Sequence, residues 1–184
     1  FLSASVTVKS LLPTSVPALR IPAAAIPGKS FRLFSTVSKG PFLIILPALR
    51  PLKNLSACPS LRTLVVTQWS EQDLTALQSE GLLALRIMSG KLRSLNGLQN
   101  LPSLRSLDLS YQQKLSDVRE LASTDLERLQ LERCNHVDVA ALPSLRELRY
   151  LSLIGTQRVE NLSSLKRFPR LEDVTLDIWV ADGD

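Results

Sequence analysis

A leucine motif returns through this chain at a nearly constant interval. It reads Leu61-x-x-Leu64-x-Val66, Leu82-x-x-Leu85-x-Ile87, Leu104-x-x-Leu107-x-Leu109, Leu126-x-x-Leu129-x-Leu131, Leu148-x-x-Leu151-x-Leu153 and Leu171-x-x-Val174-x-Leu176. The starts lie 21, 22, 22, 22 and 23 residues apart. A unit this short cannot bury an apolar face alone, so such units must stack on their neighbours to share one core. Leu43 and Ile45 precede Leu64 and Val66 by 21 residues and extend the pattern backward. Seven strands are therefore expected, centred near Ile44, Val65, Arg86, Asp108, Gln130, Ser152 and Thr175.

Each strand is followed by a second apolar cluster, such as Leu115, Val118 and Leu121, or Val159, Leu162 and Leu165. Spacing by three predicts a helical or 3-10 turn. Pro59, Pro102 and Pro169 stand just before the next strand, where proline ends the turn. Pro143 lies earlier in its unit, which predicts an extra turn or bulge at Ser144–Glu147.

With Leu at the strand and no long helix, residues 61–179 resemble the short intracellular class of leucine-rich repeats, the phosphatase-regulator type. The resemblance implies an α/β solenoid. A parallel sheet would line its concave face and short helical or 3-10 segments its convex face. That class usually carries Asn at the ninth position, whereas this chain has Trp69, Gly90, Gln112, Cys134, Thr156 and Trp179. Less regular turns are expected, with the two tryptophans as apolar lids at the ends of the array.

The chain divides into residues 1–40, a basic Pro/Ser-rich extended arm; 41–60, an irregular first unit or cap; and 61–184, the repeats. Charge follows that division. Residues 1–70 hold eight Lys/Arg and no acid, and residues 171–184 hold five acids and no base. The arm has too little apolar patterning to fold alone. It reads as a disordered tail, as a mitochondrial targeting sequence, or as an extension that orders on RNA or a neighbouring subunit. Arg32-Leu33-Phe34-Ser35 resembles a matrix-peptidase cleavage pattern, while the prolines oppose the amphipathic helix of an import signal. A chain beginning at Phe1 is expected to be a processed or trimmed product.

Two cysteines, Cys58 and Cys134, make no disulfide framework and point to a reducing compartment. The longest apolar run, Phe42–Leu46 between Pro41 and Pro47, is too short to span a bilayer. Nothing in the inventory suggests catalysis, a metal or a cofactor. The single histidine, His136, reads as a solvated turn residue, Cys134 as a core thiol, and the glycines form no phosphate loop.

What remains is surface. Equal positions on successive parallel strands form columns about 4.8 Å apart. Position two reads Arg62, Leu83, Arg105, Glu127, Arg149 and Glu172, and its alternating signs predict ion pairs along one edge. Positions three and five supply Arg86, Asp108, Arg128 and Tyr150 as a protein-binding patch on the concave face, since Tyr and Arg are enriched among interface anchors. Lys9, Arg20, Lys29, Arg32, Lys39, Arg50 and Lys53 are the RNA-binding candidates of the arm region. Together these predict a non-catalytic subunit of a large assembly, the mitochondrial ribosome being the preferred case. Protein subunits would hold the body, ribosomal RNA the arm, and the matrix would be the location. The alternatives are a soluble adaptor that uses the concave face and a peripheral subunit of a respiratory complex.

Overall fold

The computed structural model describes residues 18–20, 42–46, 55, 59–155 and 162–177. They build one eight-stranded sheet whose strands lie in sequence order: β1 (Ala18–Arg20), β2 (Phe42–Leu46), β3 (Leu61–Val66), β4 (Ala84–Ile87), β5 (Ser106–Ser110), β6 (Arg128–Glu132), β7 (Tyr150–Ile154) and β8 (Asp173–Asp177). Every neighbouring pair is parallel. The chain must therefore return to the same end of the sheet after each strand. Among the described residues, the returns carry 3-10 segments at Leu98–Asn100, Arg119–Ser123, Val139–Ala141 and Leu162–Arg167. This is an α/β arrangement, a parallel sheet with a few short helices. All seven expected strand centres fall within β2–β8. β1 is additional and lies in the stretch read as an arm, pairing with Leu43–Ile45.

The register explains the recurrence. Leu85 pairs with Leu107, Leu107 with Leu129 and Leu129 with Leu151, so equal positions of successive units stand side by side. Alternation along a strand sends the fourth and sixth residues of each motif to one face, and all of them in β3–β7 are buried. The returns supply the opposing layer, with Leu74, Leu95, Leu115, Val118, Leu121 and Val139 buried against it. Each leucine so enclosed contributes about 1.5–3 kcal/mol.

Five expectations are corrected. Leu43 and Ile45, expected beside Leu64 and Val66, pair with Thr63 and Val65 instead, because the register shifts between Phe42 and Leu43; Ile44 and Leu46 take the places opposite Leu64 and Val66. Val174, expected in the buried column, is 36% exposed. It lies on β8, the last strand of the sheet, with no further described unit over it. Trp69 is no terminal lid, because β1 and β2 continue the sheet beyond its unit. It is 2% exposed, with its indole Nε1 donating to the Asp73 carbonyl at 3.0 Å. Trp179 lies outside the described residues.

The bulge expected after Pro143 is the ordinary turn. Leu148 N–H donates to Leu145 O, as Leu104 donates to Leu101 and Leu171 to Phe168. Arg146-Glu147 replaces Pro102-Ser103 there, since such turns accept most residues.

The position-two column pairs only at its end, where Arg149 Nη1 meets Glu172 Oε1 at 2.8 Å. Arg62 instead donates to the carbonyls of Pro59 at 2.9 Å and Gly81 at 3.0 Å, and Arg105 to that of Leu104 at 3.1 Å. Arg105 also lies 3.9 Å from Asp125 of the next unit, so its ionic partner is a turn carboxylate and not Glu127.

Candidate functional site: the face of the parallel sheet

The strand residues that alternate with the core leucines point to the opposite face, and register places them in rows. Arg86 pairs with Asp108 between β4 and β5, and Arg128 with Tyr150 between β6 and β7. The sequence reading chose these four residues as one patch, and they do occupy adjacent strands of one sheet.

They are also joined in pairs. Arg86 Nε donates to Asp108 Oδ2 at 2.5 Å. Arg86 is half exposed, whereas Asp108 is buried. Burial raises the Asp108 carboxyl above its ordinary value, and nearby Glu132 adds to the rise; the Arg86 guanidinium and the Ser110 hydroxyl act in the lowering direction. Ser110 Oγ in turn donates to Glu132 Oε2 at 3.2 Å. On the next strands the Arg128 guanidinium lies over the Tyr150 ring, with Cζ 4.4 Å from the centroid. Such a stack contributes about 0.5–1 kcal/mol at an exposed site and holds both side chains in one orientation.

Three participants escaped the sequence reading. Met88, two residues beyond Arg86 on the same face, is 46% exposed. Tyr111 and Arg133 follow β5 and β6, and Arg133 Cζ lies 5.6 Å from the Tyr111 centroid. Both occupy left-handed backbone, φ 53° and 51°, as does Gly155 at 54° in the next unit. The N–H of each donates to the last residue of the following strand: Tyr111 to Glu132, Arg133 to Ile154 and Gly155 to Asp177. That repeated bond holds the backbone in a region costly to side-chain-bearing residues. The seventh and eighth columns of the motif, read downward, would have revealed all three.

Of the ninth column, Trp69, Gln112 and Cys134 are buried and Gly90 is partly buried, while Thr156 and Trp179 lie outside the described residues. Gln112 and Cys134 are fully buried and bond backbone carbonyls, Gln112 Nε2 that of Ser110 at 2.9 Å and Cys134 Sγ that of Leu109 at 3.5 Å. Burial pushes the Cys134 thiol up to about 11. His136 is an exposed turn residue. Among the described residues no group of three or more His, Cys, Asp or Glu is placed to hold a metal ion, and no helix is long and apolar enough to cross a membrane. Of the arm candidates, Arg20 closes β1; Lys9, Lys29, Arg32, Lys39, Arg50 and Lys53 lie outside the described residues, as does Cys58.

No protein-family model matches this chain, and no solved structure matches it.

Proposed function

We propose that this chain is a leucine-rich repeat solenoid that acts as a non-catalytic interaction subunit, docking on a protein partner through the face of its parallel sheet. The observation that carries the reading is the paired row Arg86–Asp108 and Arg128–Tyr150, flanked by exposed Met88 and Tyr111. Tyr and Arg are common interface anchors, and side chains already held by neighbours lose less freedom on binding. Alternating charge on the row suits a protein surface better than a phosphate chain. The preferred setting is a large ribonucleoprotein, the mitochondrial ribosome, with the acid-free N-terminal region on RNA. The charge gradient along the chain motivates that setting.

The test is affinity purification of the tagged full chain from mitochondria, with quantification of co-purifying subunits before and after nuclease. A defined set of ribosomal subunits should appear and shrink with nuclease. The double variant Arg128→Ala/Tyr150→Ala should lose the direct protein neighbour. Recovery of a single protein indifferent to nuclease would favour the adaptor reading, and recovery of respiratory subunits the third. An unchanged set with the double variant would remove the sheet face from the reading.

A further inference from the structure

Behind the sheet face, in the returns that follow β4, β5 and β6, one groove is lined by Arg93, Lys114, Ser116 and His136. Its volume is about 280 Å³. Consecutive units supply the lining, and the main chain joins them: the N–H groups of Ser116 and Asp117 both donate to the Arg93 carbonyl at 3.1 Å. Main-chain bonds thus tie the first two units of the groove together, and its lining side chains are exposed.

The charges are the informative feature. Among the described ion pairs, none involves Arg93, Lys114 or His136. The nearby carboxylates are engaged within their own turns. Asp117 is held by Arg119 through two side-chain bonds, at 2.9 and 2.7 Å, and its carboxyl is lowered to about 2. Asp138 accepts from Ala140 N at 2.8 Å. Lys91, exposed two residues before Arg93, adds a further unpaired cation.

We infer that this groove binds the phosphodiester backbone of RNA through Arg93 and Lys114, with Ser116 and His136 as further polar contacts. Units stack at roughly 4.8 Å, so the lining forms a line across three units, about 10 Å long. A line of donors fits a chain of phosphates better than one isolated anion. No Phe, Tyr or Trp lines the groove, so its cations would hold the backbone, with the His136 imidazole as the one ring in the lining able to meet a base. The inference is independent of the sheet-face reading, which uses other residues.

The experiment measures binding of the full chain to a fluorescent single-stranded oligouridylate across a salt series. Arg93→Gln/Lys114→Gln is compared with the charge-matched Arg146→Gln/Lys166→Gln, whose residues are exposed and in no described ion pair. Circular dichroism should show all variants folded, because every substituted side chain is exposed. The groove variant should weaken binding about ten-fold and flatten the log–log salt slope by about 1.4, two single-strand contacts at roughly 0.7 each. The charge-matched variant should stay within about two-fold of the parent, and millimolar inorganic phosphate should compete only weakly. Three results would overturn the inference: no binding by the parent, equal loss in both variants, or an unchanged slope in the groove variant. Efficient competition by free phosphate would overturn the assignment to a chain of phosphates.

Discussion

Arg86 and Asp108, 22 residues apart, meet across adjacent parallel strands, yet only one of the two carboxylate oxygens is used. Oδ2 accepts from Arg86, while Oδ1 is buried without a hydrogen-bond partner. A buried acceptor left unmade costs about 1–3 kcal/mol. The pair therefore orders the face more than it stabilises the fold.

Burial of the Asp108 carboxyl sets a pH dependence. The folded-state value of Asp108 is raised above 3.8. The neutral carboxyl is thus the form the fold favours, and its stabilisation is complete below 3.8 and lost as pH rises through the raised value. Asp108→Asn should therefore gain on the parent protein across that window, measured as urea-unfolding midpoints in steps from acid to neutral pH. Arg86→Gln should lose about 1–3 kcal/mol at neutral pH and less in acid, where no charge is left unpaired. Equal cost for Arg86→Gln at both extremes would contradict this account.

The buried column should show the difference between an interior unit and the last. Leu107→Ala and Leu129→Ala remove side chains that are 0% exposed and should cost about 2–5 kcal/mol each. Val174→Ala, at 36% exposure, should cost under about 1 kcal/mol. Chemical denaturation of the three variants tests the ordering.

Two glycines with positive φ should respond differently to alanine. At Gly97, φ 103°, an added Cβ would lie 2.4 Å from both Leu74 C and Thr75 N, backbone atoms of the preceding unit. At Gly155, φ 54°, it would meet only Arg133 Cγ at 3.4 Å. Gly155→Ala should cost about 1–2 kcal/mol, the ordinary penalty of left-handed backbone. Gly97→Ala should cost clearly more, because two units must move apart. Comparable melting temperatures for the two variants would show that the units separate easily.

Cys134 should be inert in the folded protein. Its thiol is buried and raised to about 11, so almost no thiolate forms at neutral pH. In a Cys58→Ser background, alkylation at pH 8 should be slow until urea is added. Fast labelling of the native protein would mean that the interior of this unit opens readily.

The leucine recurrence by itself determined the strand centres, their parallel order and the buried column. Those follow from period-two alternation and from the need of short units to stack, both local properties of the pattern. It also placed Arg86 beside Asp108 and Arg128 beside Tyr150, because equal positions become neighbours once register is known. Other features depended on competition between distant groups. Arg105, expected to meet Glu127, donates to the Leu104 carbonyl and pairs with Asp125, groups that only the folded turn brings within its reach. Val174 lost its cover because burial in a stack comes from the next unit, not from the residue itself. Trp69 became interior because β1 and β2 extend the sheet past its unit. The unpaired groove of Arg93, Lys114 and His136 emerged only when three returns, none conspicuous in sequence, were brought side by side.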